Sequence, residues 1–389
     1  MTAAQQTSRH RDRILNRDDV EHLIADGRKI VIVDGAVLKV DAWLPYHPGG
    51  DKAILHMVGR DGSLELHAFH SLETQELMKK YQIGNFEVDL DSGESSGEPS
   101  PVSDTLRRRQ KRTSATSGQD PSIGTSSSAT SLSSLAIDEA DGPSGLQSDL
   151  KAGTTQKCKE DLASFPSLDA ATQATIISKY QALDEKVRGE GLYDCSYKNY
   201  GVEAARYTFL ALSSYFLLHS GYYIASAVCL GMFWHQMTFT VHDAGHMGIT
   251  HDYHIDSCIG IFIADFLGGL SCCWWKRNHN VHHIVTNSPE HDPDIQHMPF
   301  FAITPRFFSS LKSTYYDHIM SFDAVAQFTL KYQHYLYYPL LTFGRFNLYA
   351  LSWQYIFGFQ GPRKGPAWWH RYLEMVGQVF FWFWFGYLV

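Results

Sequence analysis

From Tyr207 to Phe239 the chain reads YTFLALSSYFLLHSGYYIASAVCLGMFWHQMTF, about 33 residues without Asp, Glu, Lys or Arg. One membrane span takes about 20 apolar residues. The run is too long for one span and predicts two helices turning near Ser220-Gly221, the first starting a little before Tyr207. Both ends of such a hairpin lie on one side. The N-terminus lacks the apolar core of a secretory signal, which places that side in the cytosol. His242-Asp243-Ala244-Gly245-His246 follows at once, and His279-Asn280-Val281-His282-His283 comes some thirty residues later. Half of the 20 histidines fall within residues 235–297. On a helix, positions i, i+3 and i+4 share a face, so each cluster can aim two or three imidazoles at one point. Imidazole is a favoured ligand of zinc, iron and copper.

At 389 residues the chain has room for two or three domains. Its formal charge of −8 gives no reason to expect a nucleic-acid partner. The mean hydropathy is slightly negative, but it averages unlike parts. The six cysteines (Cys158, Cys195, Cys229, Cys258, Cys272 and Cys273) form no C-x-x-C pair and no disulfide-like framework. They fit a reducing compartment and a structural role.

Residues 12–88 read as a small α+β domain. Arg28 to Val40 alternates apolar and polar residues around Asp34-Gly35, a hairpin signal, with helical patterns at Asp51–Val58 and Ser71–Met78. Residues 89–160 are a Ser/Gly-rich linker, too poor in large apolar residues to offset the entropy of ordering. Its basic run Arg107–Arg112 could attract anionic headgroups, although charge runs are more often simply solvated. Residues 161–389 read as an all-α membrane domain. Within it, 161–199 is an amphipathic helix with a stripe at Leu168, Ile176, Ile177, Tyr180 and Leu183, ended by Gly189 and Gly191. Ile259–Leu270, interrupted by Asp265, is too short to span and reads as buried or interfacial. Tyr335–Phe357, carrying Arg345 and Asn347, reads as interfacial. Val376–Val389 is a further apolar and aromatic run.

In the N-terminal domain, His47-Pro48-Gly49-Gly50 and His70-Ser71 carry the chemistry. Two histidines on opposing elements can clamp a haem iron from both faces, which favours electron transfer over oxygen activation. Trp43, Leu44, Ile54, Val58 and Phe69 could wall the pocket. Residues 12–88 resemble the cytochrome b5 family in the H-P-G-G motif and the Phe69-His70-Ser71 that follows. The resemblance implies haem b with His47 and His70 as axial ligands. His56 and His67 are rival candidates for the second ligand. Asp61-Gly62-Ser63 departs from the family's usual Asp-Ala-Thr.

In the membrane domain, five imidazoles exceed the four ligands zinc usually takes. The metalloprotease pattern H-E-x-x-H is absent, because Asp243 holds the glutamate position. An electron-transfer haem on the same chain has a role only if this metal is redox-active. Structural histidines are the plainer reading of a lone residue, but ionisable clusters at a membrane are functional by default.

These residues resemble the membrane fatty-acid desaturase superfamily, whose first two histidine boxes match His242–His246 and His279–His283. The stretch from Trp274-Trp275-Lys276-Arg277-Asn278-His279 through His291-Asp292-Pro293-Asp294 is similar to the front-end desaturases, which carry an N-terminal cytochrome b5, and most of all to the fungal Δ8-sphingolipid desaturases. Tyr337-Tyr338-Pro339-Leu340 and Gly344-Arg345-Phe346-Asn347 fit as well. The resemblance implies a multi-pass membrane protein of the endoplasmic reticulum, with haem domain and histidine boxes in the cytosol. It implies NADH and a cytochrome b5 reductase as the source of electrons, two non-haem irons, O2 as co-substrate, and removal of two hydrogens from adjacent methylenes of a sphingolipid or ceramide long-chain base. His242, His246, His279, His282 and His283 are then iron ligands and the catalytic set, with His291 as a plausible sixth. Asp243, Asp292 and Asp294 are candidates to orient ligands, and His251, His254 and His297 are expected non-ligands.

One element of the family pattern is missing. No third box, Q-x-x-H-H, occurs, His282-His283 is the only His-His pair, and Gln333-His334 is no substitute. We therefore expect a C-terminally truncated chain, inactive as given. Two readings within the same chemistry remain, a front-end acyl desaturase and a lipid hydroxylase. Two of other classes also remain: a non-catalytic, membrane-tethered electron carrier, and a membrane zinc hydrolase.

Overall fold

The computed structural model describes residues 11–87, 163–164, 166 and 168–388. The expected linker 89–160, with its basic run, lies outside the described residues. In chain order the first elements are β1 (Ile14–Leu15), α1 (Arg17–Ala25), β2 (Ile30–Val33), β3 (Ala36–Lys39), α2 (Asp51–Met57), α3 (Ser63–Phe69), α4 (Leu72–Met78) and β4 (Gln82–Phe86). Then come α5 (Ala170–Gly189), α6 (Tyr197–His219), α7 (Tyr223–Gly245), α8 (Tyr253–Ile261), a π-helical turn at Phe262–Leu267, and α9 (Cys272–Ile284). The short strands β5 (Leu311–Lys312) and β6 (Ile319–Met320) precede α10 (Ala324–Lys331), α11 (Gln333–Phe357) and α12 (His370–Leu388). This is an α+β domain followed by an all-helical one, as expected.

The described residues fall into two compact units. One comprises Met1–Ala42, Met57–Ala174 and Thr304–Asp323, the other Trp43–His56, Thr175–Ile303 and Ala324–Val389. The division differs from the expected boundaries 12–88 and 161–389 at three places: Trp43–His56 belongs to the second unit, and the described residues up to Ala174 and Thr304–Asp323 to the first.

In the first unit four strands run in the order β1-β4-β3-β2. β2 and β3 form the hairpin the sequence predicts, with both turn residues at positive φ (Asp34 50°, Gly35 74°). A two-residue turn of this hand matches strand twist, and Asp-Gly adopts it readily. The expected alternation holds only in part, because all four residues of β2 are buried. Its outer edge is also covered: the Ile32 amide donates to Arg60 O, and the amides of Gly59 and Gly62 donate to Ile30 O and Ile32 O. Leu15, Val20, Ile30 and Val37 form the core. Asn16 caps α1 by a reciprocal bond with Asp19, which satisfies two otherwise orphaned amides.

In the second unit α6 and α7 form the predicted hairpin, turning at Ser220-Gly221, where Gly221 has φ 81°. Leu210, Phe233 and Met237 pack between them. Ser214 and Ser226 bond across the pair, each hydroxyl donating to the other's carbonyl. The opposite faces carry exposed Phe209, Phe216, Ile224 and Val228, apolar surface suited to lipid. Among the described residues, α7 alone is long and apolar enough to cross a membrane by itself. α6 is polar in its first turns, where Lys198, Glu203 and Arg206 lie. α8 with its π turn and α9 form a bent pair, breaking by 118°, so Ile259–Leu270 is a buried bend as expected.

The charged interruptions Asp265 and Arg345 turn inward. Asp265 is fully buried and accepts from the Cys272 amide at 3.3 Å and the Gln378 side chain at 3.0 Å. Arg345 is half-buried. It donates to Tyr349 Oη and Gly268 O and lies 3.8 Å over the Trp234 ring. A charge in an apolar domain costs several kcal/mol unless so paired, which explains its place.

Candidate metal centre

α7 carries His242 in its last turn and His246 as its C-cap, so the i, i+4 pair looks out from the end of the apolar hairpin. Met247, at φ 56°, then breaks the chain away from the helix. α9 presents His279, His282 and His283 within its last two turns. Ser271 caps α9, accepting from the Trp274 amide at 3.0 Å. Ser271 Oγ in turn donates to Glu374, whose carboxylate also accepts the Cys273 amide at 2.9 Å. A carboxylate at a helix N-terminus complements the dipole, so Glu374 pins the helix that carries the second cluster. Sequence reading missed this anchor: Glu374 stands just before the final apolar run at Val376.

The two clusters meet through Trp275. A Cβ at Gly245 would collide with the Trp275 ring, so only glycine lets the indole lie against α7. The ring stacks on His279 at 4.6 Å and lies 5.5 Å from His242 and 5.9 Å from His246. One ligand atom each of His242, His246, His279 and His283 then lies within 4.8 Å of the others. His279 Nε2 and His283 Nε2 face each other at 3.1 Å. His246 Nε2 is buried without a hydrogen-bond partner. A buried, unsatisfied ring nitrogen is costly, and a bound cation would satisfy it. Burial first, and then His242, His283 and His279 around it, push the His246 pKa down to about 3. Its ring is therefore neutral at physiological pH, the form that ligates metal.

Carboxylates hold the other faces of the rings. Asp294 accepts from His279 Nδ1 at 3.0 Å and from the Asn278 side chain at 2.6 Å. Asp292, fully buried, accepts from His282 Nδ1 at 2.9 Å and from the amides of Asn287 and Asp294. Such partners fix the ring and raise its donor strength. Asp243 instead accepts from Tyr200 Oη at 2.7 Å. His282 lies beside the four-residue group, its ring 5.3 Å from His279 and 5.6 Å from His283. The structure does not bring His291 to the cluster; its ring packs edge-on to His56 at 5.5 Å. His251 turns both ring nitrogens to backbone carbonyls, of Met247 and Tyr193.

The two expected haem ligands lie in different units. His47 Nδ1 is 2.7 Å from Gly50 O, and His70 Nδ1 is 3.1 Å from Leu66 O. A ring N–H given to a carbonyl leaves the lone pair on Nε2, the nitrogen a haem iron takes. Burial lowers the His70 pKa, again favouring the neutral ring. Its rival His67 engages both nitrogens, with Asp34 and Gln75.

Comparison with known proteins agrees with this arrangement. Residues 16–87 match the model of the cytochrome b5-like haem/steroid-binding domain, and residues 220–389 that of the fatty acid desaturases. A Δ8-(E)-sphingolipid desaturase of Emericella nidulans is 53% identical over 98% of this chain and 72% of its own length. One of Candida albicans is 39% identical over 97% of the chain and 74% of its own. The chain belongs to the cytochrome b5-bearing fatty acid desaturases. As a member of this membrane-bound family it is an oxidoreductase of the lipid-desaturase class. A Δ(8)-fatty-acid desaturase of Arabidopsis thaliana is also similar, at 29% identity over 96% of the chain. The family implies haem in the N-terminal domain and iron in the desaturase domain, and the orphaned His246 nitrogen and all-imidazole donor set fit iron.

Proposed function

We propose that the chain is a Δ8-desaturase of sphingolipid long-chain bases, with domains at 12–88 and 161–389 joined by the linker 89–160. The convergence of four imidazoles from α7 and α9 carries the mechanistic part of the reading. The names of relatives 39–53% identical over nearly the whole chain support the substrate. His242, His246, His279 and His283 hold iron, and His282, oriented by Asp292, supplies a further ligand for a second ion. His47 and His70 hold haem b. When bound, these groups supply electron transfer and O2 activation, with NADH and a cytochrome b5 reductase as the source of electrons.

The chain's own residues orient and insulate. Asp294 and Asp292 keep Nδ1 of His279 and His282 protonated, so that Nε2 faces the metal. Trp275 fills the space between the two clusters and excludes water. The chain sits in the membrane of the endoplasmic reticulum as a multi-pass protein, with the histidines at the cytosolic surface, where a lipid chain can reach them; the exposed apolar faces of α6, α7 and α12 support this reading.

The deciding experiment is metal analysis of the purified protein, with lipid analysis of cells expressing the complete coding sequence, third histidine box included. Haem plus non-haem iron, and new Δ8 unsaturation in the long-chain base, are expected. Zinc in place of iron, unsaturation confined to acyl chains, or no new unsaturation would overturn the reading.

A further inference from the structure

Within the second unit, the segment Trp43–His56 meets α9 at two adjoining points. Arg277 donates to Asp51 Oδ1 twice, from Nε at 2.9 Å and Nη2 at 2.7 Å. The Asn280 side chain donates to Gly49 O at 3.1 Å. The Arg277 side chain is 15% exposed and that of Asp51 37%, so the ion pair is partly shielded and stronger than an exposed one. The glycines set the fit. A Cβ at Gly49 would lie 2.9 Å from the His47 ring and 3.0 Å from Asn280 Nδ2. One at Gly50, which has φ 91°, would lie 2.7 Å from Arg277 Cγ. Both glycines lie beside a histidine read as a haem ligand, and both α9 residues beside histidines read as iron ligands. Asn280 directly follows His279, and Arg277 precedes it by two.

We propose that Asp51–Arg277 and Gly49–Asn280 form an intramolecular docking surface that seats the His47 loop on the helix bearing the second histidine box. Asp51, Arg277 and Asn280 are then positioning residues. They hold the two metal-binding segments at a separation of one hydrogen bond, from Gly49 O to Asn280 Nδ2, with short stretches of backbone on either side. The mechanistic meaning rests on the proposed function, but the contact can be tested without non-haem iron or lipid.

The test is zero-length carbodiimide coupling on the full chain, read by peptide mass spectrometry. Arg277→Lys turns the pair into Asp51 and a lysine, which the reagent joins by an amide. Glu76 and Lys79, 2.6 Å apart in the first unit, report that the reagent works. The expected result is a 51–277 link in Arg277→Lys, its loss in Asp51→Asn/Arg277→Lys, and its return with roles exchanged in Asp51→Lys/Arg277→Glu. A Glu76–Lys79 link without a 51–277 link overturns the docking. An unchanged haem spectrum shows that each variant folds. In cells expressing the complete coding sequence, third histidine box included, product formation is expected to be lost in Arg277→Glu and regained in the charge-swapped pair. A swapped pair that couples but regains no product overturns the positioning role while leaving the proposed function standing.

Discussion

The histidines of the two metal-binding regions are held by different partners. His47 and His70 give Nδ1 to backbone carbonyls, of Gly50 and Leu66. His279 and His282 give it to carboxylates, of Asp294 and Asp292. Either device selects the tautomer that offers Nε2. A carbonyl adds only a dipole, whereas a carboxylate adds a full charge and a stronger hydrogen bond, making the imidazole a better donor to an oxidised metal. Under the proposed function the same residue thus serves a haem iron in one region and non-haem iron in the other. The tuning lies in the residue behind the ring.

The sharpest way to break this comparison is to remove one centre and read the other. In His279→Ala/His283→Ala we expect non-haem iron to disappear while the haem absorption stays; loss of both would mean that the centres are not independent. Conversely, His70→Ala should abolish the haem spectrum and leave non-haem iron in place, and a surviving spectrum would point to His67 or His56 instead. Asp294→Asn keeps a hydrogen-bonding group but removes the charge, and should weaken iron binding by about 10–100-fold in a chelator competition. Unchanged affinity would show that the carboxylates orient without tuning. Gly245→Ala should cost about 1–3 kcal/mol by overpacking against Trp275, visible as a lower thermal midpoint in detergent.

The smallest effect concerns His67. Its pKa is raised from 6.5, chiefly by the hydrogen bond to Asp34. A raised pKa contributes stability that is complete below the unfolded value and lost as pH rises through the folded one. The thermal midpoint of the haem domain should therefore fall slightly as pH rises above about 6.5, and His67→Gln should remove that slope. An identical slope in the variant would assign the effect elsewhere.

Much of this was legible in the sequence. The hairpin at Asp34-Gly35, the turn at Ser220-Gly221 and the end of α5 at Gly189 all stand where glycine and polarity mark them. The i, i+4 spacing of the histidines also read correctly, because helix geometry is local. What did not read was long-range. The partner of Arg345 was not legible, since the Trp234 ring it covers lies on another helix. Glu374 looked like the polar edge of an apolar run, yet it anchors the N-terminus of α9 from about a hundred residues away. His291, adjacent to the acidic pair in sequence, went to His56 rather than to the cluster.

The contact between Gly245 and Trp275 bears on how this site could be moved. Anyone grafting the two histidine motifs onto a designed helical scaffold would copy the imidazoles first. Without a bare backbone at the fourth position of the first motif, the indole could not enter. The two helices would then stand apart by the width of a side chain, and a chelate with every ligand in place would not close around its ion.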